Sequence, residues 1–198
     1  MLNTVYQTLK DKGNPEVIEE NGPIKCTSED AWLGDGYYLW HGFEPLAHWW
    51  GKYRLRMPYM VGTAKINFYE ECSCYDLHAN FNHIEDFWGV KTEWEKQLKK
   101  LATMKGKPYK EPTIAKIINF MKSKDIFKYD SIRINGVNSM HENNEYSRKV
   151  KVSEKDCDEH KHVDALPQIQ ICMYKIDALD FREFRIIYPP SHVTRGAF

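Results

Sequence analysis

A turn containing two glycines leads directly into a run of aromatic residues, and this feature constrains the fold more than any other. Gly34 and Gly36 are one residue apart, and the aromatic-rich run covers residues 37–40. Glycines at the start of a strand let the backbone approach a neighbour or a ligand closely, and aromatic residues favour a strand. Pro45 then begins a segment whose apolar residues recur at helical spacing. The local order is therefore strand, loop, helix.

Other patterned segments place strands towards both ends of the chain and helices between them. Further strands are predicted near residues 4–9, 60–76, 132–134, 169–174 and 184–188, and further helices near residues 15–20, 94–101 and 114–121. This order predicts the α+β class. Two polar stretches, residues 105–112 and 138–167, are typical of insertions or loops. We expect one domain spanning residues 1–198.

Composition excludes several classes of protein. The 28 Lys and Arg residues balance 28 Asp and Glu residues, which argues against a grip on nucleic acid or anionic lipid by the whole protein. Because no apolar run approaches the roughly 18 residues of a membrane span, and the first residues lack the apolar core of a signal peptide, we expect a cytoplasmic protein without a membrane partner. The cluster of Cys157, His160 and His162 lacks standard zinc spacing, so we predict no metal.

One segment of the chain carries a strong local excess of positive charge. Ten lysines lie between residues 96 and 128, where only Glu111 and Asp125 oppose them, giving a local charge of +8. These lysines are Lys96, Lys99, Lys100, Lys105, Lys107, Lys110, Lys116, Lys122, Lys124 and Lys128. An ordinary solvated helix face would carry such a stripe, and so would a surface that binds the backbone of RNA or DNA.

The segment GDGYYLWHGFEPLAHWW resembles a motif of the ADP-ribosyltransferase superfamily, especially its poly(ADP-ribose) polymerase and diphtheria-toxin-like branch. Two glycines, an aromatic residue, and then an alanine followed by another aromatic residue fall in register at Gly34, Gly36, Tyr38, Ala47 and Trp49. A glycine turn feeding a core strand would also account for the glycines alone. Weaker likenesses at residues 4–24, 127–133 and 170–174 follow in the same order as in the family.

The resemblance implies a fold, a cofactor and a set of contacts. The implied fold is a split, twisted, mixed or antiparallel β core with surrounding helices, in which NAD lies across the cleft between the two sheets. Tyr38 and Trp49 are expected to sandwich the nicotinamide ring, because a planar, electron-poor ring gains from aromatic faces on both sides. Gly36 and Thr8 are expected to contact the cofactor as well, Thr8 through main-chain atoms.

The chain departs from the family pattern at three positions. Gln7 stands where the branch has histidine, Thr8 where it has glycine, and Gln170 where it has the catalytic glutamate. Both glutamines are expected to hold ribose hydroxyls, since an amide donates and accepts. Gln170 is neutral, however, and lacks the charge that would stabilise an oxocarbenium ion. Together with Tyr38, these two glutamines form the predicted catalytic set.

The resemblance implies an NAD-dependent mono-ADP-ribosyltransferase of the toxin or phage-defence kind, a glycosyltransferase acting on a macromolecular acceptor. The lysine stripe favours RNA or DNA over protein as that acceptor, and a neutralising antitoxin is a possible partner. Glu142 and Glu145 are candidates to replace the missing glutamate, although ordinary solvated loop acids are the commoner case. The alternatives are a degenerate module that binds NAD or ADP-ribose, a nucleic-acid-binding module without NAD, and an NAD glycohydrolase that uses water as acceptor.

Overall fold

A computed structural model describes residues 2–28, 31–68, 74–136, 149–151, 162–164 and 168–193. The strands in these ranges are β1 (Leu2–Lys10), β2 (Tyr37–His41), β3 (Tyr59–Asn67), β4 (Cys74–Asp76), β5 (Ser131–Asn135), β6 (Lys149–Lys151), β7 (His162–Asp164), β8 (Ile169–Met173) and β9 (Arg182–Tyr188). The α-helices are α1 (Pro15–Asn21), α2 (Glu44–Trp50), α3 (Phe81–Met104) and α4 (Ile114–Ser123), and short helical turns lie at Gly51–Leu55, Ala178–Asp180 and Pro190–His192. None of the described helices is both long and apolar enough to cross a bilayer.

Seven of the described strands form one mixed sheet. Their order is β4-β5-β8-β2-β1-β3-β9, while β6 and β7 pair with each other. β4 and β5 are parallel, and the other neighbouring pairs are antiparallel. With four helices beside this sheet, the predicted α+β class is confirmed. The pair formed by β6 and β7 lies inside the second polar stretch, which the sequence predicted as an insertion.

The two faces of the sheet bury different sets of residues, because side chains alternate along a strand and opposed residues of paired strands share a face. On the helical face, α3 and α4 contribute Phe87 and Ile118 to a cluster with Ile132 of β5, and α2 packs on the same face. On the second face, Leu39 and Ile171 belong to a cluster covered by the turn at Ala178–Asp180. The sheet is therefore a layer between two separate cores.

The sheet divides at the junction of β1 and β2. These strands pair at two positions, Val5 with His41 and Tyr6 with Trp40. By contrast, β1 pairs with β3 along its whole length, and β2 pairs with β8 at four positions. Beyond Tyr6 and Trp40 the two halves of the sheet have separate partners. We call this junction, between residues 7–10 of β1 and residues 37–39 of β2, the fork.

Each segment that the sequence predicted as strand or helix overlaps an element of the same type. The largest difference is the length of α3, which begins well before the predicted residues 94–101. Asn80 caps its start, since the side-chain oxygen accepts hydrogen bonds from the amides of Asn82 and His83 at 3.0 and 3.3 Å. The predicted substitute acids Glu142 and Glu145 lie outside the described residues, as do Cys157 and His160.

Candidate functional site

Two tyrosine hydroxyls hold the glycine-containing loop before β2. The hydroxyl of Tyr38 accepts a hydrogen bond from the Leu33 amide and donates one to the Gly34 carbonyl, both at 2.8 Å. Tyr174, just after the neighbouring strand β8, donates to the Leu33 carbonyl at 3.1 Å. Burial raises the pKa of Tyr38 above its ordinary value, so its hydroxyl stays protonated. The Tyr38 hydroxyl thus fixes the loop, and the residue as a whole is partly buried.

Gly36 is a packing requirement of the sheet. A Cβ atom at this position would overlap the Cys172 sulfur and lie 2.7 Å from the Met173 carbonyl oxygen. The residue also forms an isolated bridge with Cys26. Gly34, in contrast, has φ of +92°, a backbone conformation that L side chains rarely adopt. Close approach to β8 and a left-handed turn therefore explain both glycines without a bound cofactor.

Gln170 lies on the helical face, directly opposite Trp40 of β2. The indole nitrogen of Trp32 donates a hydrogen bond to its Oε1 atom at 2.7 Å, and the residue is 5% exposed. Within the described part of the chain, the Nε2 atom of Gln170 makes no hydrogen bond. Trp32 thus fixes the orientation of the amide and leaves its donor end unused.

The sequence did not single out Trp32 as a site residue. It lies in the loop, two positions before Gly34, and is partly exposed. An aromatic residue beside a conformationally constrained turn was the available signal, but the bond to Gln170 joins positions 138 residues apart in sequence. Only the pairing of β2 with β8 brings the two together.

Gln7 lies on the second face, opposite to the face that carries Gln170 and Tyr38. Its amide is paired twice with the backbone of Ile24: Nε2 donates to the carbonyl oxygen, and Oε1 accepts from the amide, both at 2.8 Å. Thr8 lies on the helical face, and its hydroxyl donates to the Ala47 carbonyl at 2.8 Å. The predicted arrangement, with Gln7 and Gln170 bordering one cleft, is not formed.

Trp49 lies in a core, not opposite Tyr38. The residue is 3% exposed, and its ring packs edge-on against Trp40 at a centroid distance of 6.5 Å. Tyr38 belongs to the separate cluster around Leu33 and Cys172. Trp40, two residues after Tyr38 on the same face of β2, occupies the position beside Trp49 where the sandwich would hold a ring. The structure therefore does not bring together the two predicted faces of the nicotinamide clamp.

A second polar cluster lies on the other face of the sheet, at the ends of β2, β4 and β5. Arg133 Nε donates to Asp76 Oδ1 at 2.9 Å, and its Nη2 donates to Oδ2. Burial alone would raise the pKa of Asp76, but Arg133 and nearby backbone amides lower it. Burial lowers the pKa of His41 to about 4, and the charges of Arg133 and His78 add to that effect while Asp76 opposes it. His41 is therefore neutral near pH 7.

The site at the fork is argued from its geometry alone, because no family model, curated protein or solved structure matches this chain. On the helical face, beside the fork, lie the partly buried residues Trp32 and Tyr38 and the buried Gln170, whose donor end is unused. Aromatic faces can stack on a planar ring, and an amide N–H can donate to a sugar hydroxyl. This combination suits a ligand that carries a heterocycle and a ribose.

Proposed function

We propose that the protein binds NAD at the fork and transfers its ADP-ribose group to a macromolecular acceptor. The observation that carries this proposal is the division of the sheet, in which β1 and β2 pair at two positions and then take separate partners. A split β core is what the sequence resemblance implies, and the resemblance places NAD across the cleft between its two sheets. The proposed fold is accordingly ADP-ribosyltransferase-like.

The proposed site differs from the one expected from the sequence. Trp32 and Tyr38 supply the aromatic surface, and Gln170 donates to the ribose 2′-hydroxyl. Gln7 and Trp49 do not contact NAD directly in this proposal. Gln7 holds the Ile24 backbone beside the fork, and Trp49 supports β2 through Trp40. These are positioning roles, since their polar atoms or rings are engaged within the protein.

In the proposed reaction, the bond between the nicotinamide nitrogen and the ribose anomeric carbon breaks, and its electron pair leaves with nicotinamide. The acceptor nucleophile forms the new bond to that carbon and gives up its proton. Positive charge develops on the ribose ring in between. Gln170 is neutral and orients the 2′-hydroxyl without offsetting this charge, so positioning supplies most of the rate. Slow turnover is therefore expected of the natural sequence.

A second candidate is a module that binds NAD or ADP-ribose without transferring it. Two observations favour it: the Gln7 amide is already satisfied by Ile24, and the strand position predicted for the catalytic acid carries Gln170. This candidate predicts that NAD raises the melting temperature of the protein while nicotinamide release stays at the uncatalysed rate.

Nicotinamide release from labelled NAD tests these candidates, with Gln170→Glu as the decisive variant. The new carboxylate keeps the acceptor for Trp32 and adds the missing charge, so release should rise at least about tenfold. Gln168→Glu is the matched control, because Gln168 is also 5% exposed and lies two residues earlier in the chain. Its release rate should match that of the natural sequence.

Each result of this experiment separates the hypotheses. Faster release from Gln170→Glu alone supports the transferase site. If NAD raises the melting temperature but neither the natural protein nor Gln170→Glu releases nicotinamide, the binding module is supported. If NAD causes no thermal shift and no nicotinamide is released, NAD is rejected as the ligand. Release without label on any macromolecule would identify an NAD glycohydrolase. Thermal unfolding of both variants in buffer checks that the new buried acid has not unfolded them.

A further inference from the structure

The ten lysines of residues 96–128 are all exposed and lie in one stretch of the chain. They occupy the second half of α3, the segment that joins α3 to α4, α4 itself and the turns before β5. We call this set the basic surface. Because all ten residues are exposed, burial of apolar surface does not explain their number.

The carboxylates around the basic surface leave most of it unpaired. Lys96 pairs with Glu93 at 2.6 Å and Lys128 with Asp125 at 3.3 Å. Glu111 lies in the same stretch, but it pairs with Lys91, outside the ten, at 3.2 Å. Among the residues that the structure describes, the remaining eight lysines have no carboxylate partner. Such a concentration of one charge attracts polyanions.

Aromatic rings lie beneath several of these lysines. The ammonium group of Lys99 is 5.1 Å from the centre of the Tyr109 ring, and that of Lys124 is 5.9 Å from the Phe120 ring. Contacts of this kind restrict long side chains before a ligand binds, which lowers the entropy lost on binding. A polynucleotide carries a phosphate charge at every nucleotide, so one strand can meet several of these lysines along its backbone.

The basic surface reaches the glycine-containing loop before β2 through Lys122. Its ammonium group lies 3.4 Å from the centre of the Tyr174 ring, and the Tyr174 hydroxyl is bonded to the Leu33 carbonyl in the loop that Tyr38 also holds. Partial burial lowers the pKa of Lys122, the Cys172 thiol opposes that effect, and the charge of Lys25 adds to it. Lys25 is exposed and directly precedes Cys26, which bridges Gly36 at the start of β2.

We propose that the basic surface binds the phosphodiester backbone of a polynucleotide and directs the strand to the fork, so that the acceptor class is RNA or DNA. The binding step stands on the charge and exposure of these lysines and on how few of them have a carboxylate partner in the described part of the chain. Only the transfer step rests on the proposed function. Because the contacts are with phosphates, binding should depend weakly on base sequence and strongly on salt.

Fluorescence anisotropy tests the binding step without NAD. The probes are a labelled single-stranded RNA of about 20 nucleotides, the DNA of the same sequence and the corresponding duplex, each at about 50 and 200 mM salt. If about four phosphates are contacted, the dissociation constant for a single strand should rise roughly 50-fold over this range. The probe with the lowest dissociation constant shows whether the surface prefers RNA, DNA or a duplex. A dissociation constant that does not change with salt would overturn the proposal. So would displacement of the probe by polyglutamate as readily as by unlabelled RNA.

A pair of double variants ties the binding to this surface. Lys105→Gln with Lys116→Gln removes two of its charges, whereas Arg182→Gln with Arg185→Gln removes two exposed charges on β9, at the opposite edge of the sheet from β4. The first pair should weaken binding several-fold and reduce the salt slope by about 1.4, since each single-strand phosphate contact contributes about 0.7. The second pair should bind like the natural sequence. Equal losses from both pairs would contradict a specific surface.

Incubation of the bound oligonucleotide with NAD labelled in the adenosine half tests the transfer step. Label on the oligonucleotide, reduced by Lys105→Gln with Lys116→Gln, supports the assignment of the acceptor. Nicotinamide release without label on the oligonucleotide overturns it. If nicotinamide is not released at all while salt-dependent binding persists, the proposed transfer fails and the polynucleotide surface stands.

Discussion

Gln7 uses both polar atoms of its side chain to hold the backbone of Ile24. Replacement by alanine leaves a backbone donor and a backbone acceptor without partners in a partly buried position. We expect Gln7→Ala to lower the free energy of unfolding by about 2 kcal/mol, measured by urea denaturation. If instead the variant is as stable as the natural protein but binds NAD more weakly, Gln7 contacts the ligand as the sequence first predicted.

Gly36 leaves no room for a side chain between β2 and β8. Because a Cβ atom would overlap the Cys172 sulfur, Gly36→Ala should lower the free energy of unfolding by about 1–3 kcal/mol through overpacking. Thermal unfolding at fixed pH measures the loss. An unchanged melting temperature would show that the strands separate easily here, and would restore a role in binding as the reason for the glycine.

At the scale of elements, α3 is long and mostly exposed, since Phe87 is its buried residue. Gly89 lies inside this helix, and a Cβ atom there would meet no other atom within 4 Å. Gly89→Ala should therefore raise the free energy of unfolding by about 0.5–1 kcal/mol. The same substitution thus has opposite expected signs at Gly36 and Gly89, and one set of denaturation curves compares them. Destabilisation by Gly89→Ala would indicate that the helix is bent or covered at that turn.

The elements of this fold were largely predictable, because they follow from local patterns of apolar and aromatic residues. The first half of α3 was not predicted, although Phe87, Val90 and Trp94 recur at helical spacing and Asn80 can cap a helix.

The roles of individual residues at the candidate site were harder to predict from the sequence than the elements were. Alternation places Tyr38 and Trp40 on one face, but whether Trp49 meets one or the other depends on how α2 packs. Likewise, the face of Gln7 follows from register with β2 and β3, which depends on the whole sheet.

For the molecule as a whole, the polar cluster beside β4 couples stability to pH. Burial lowers the pKa of His41 to about 4 in the folded state, while an unfolded histidine titrates near 6.5. The unfolded chain therefore binds the extra proton first, and the stability from neutral His41 is complete above about pH 6.5 and is lost as the pH falls towards 4. The slope should approach about 1.4 kcal/mol per pH unit.

The variant His41→Gln isolates this contribution. Its free energy of unfolding should fall less steeply between about pH 6.5 and 4 than that of the natural protein, as measured by urea denaturation at a series of pH values. Titrating groups that do not interact with His41 contribute equally to both proteins and cancel in the difference. Identical slopes would mean that His41 takes up its proton as readily in the folded protein as in the unfolded chain.

Two residue pairs join β1 to β2, whereas each strand is bonded along more of its length to its other neighbour. Few hydrogen bonds must break for one half of the sheet to open independently of the other. In native-state hydrogen exchange, the amides between β1 and β3 and those between β2 and β8 should accordingly fall into two groups with distinct opening free energies. A ligand that spans the junction would merge these groups into one cooperative unit.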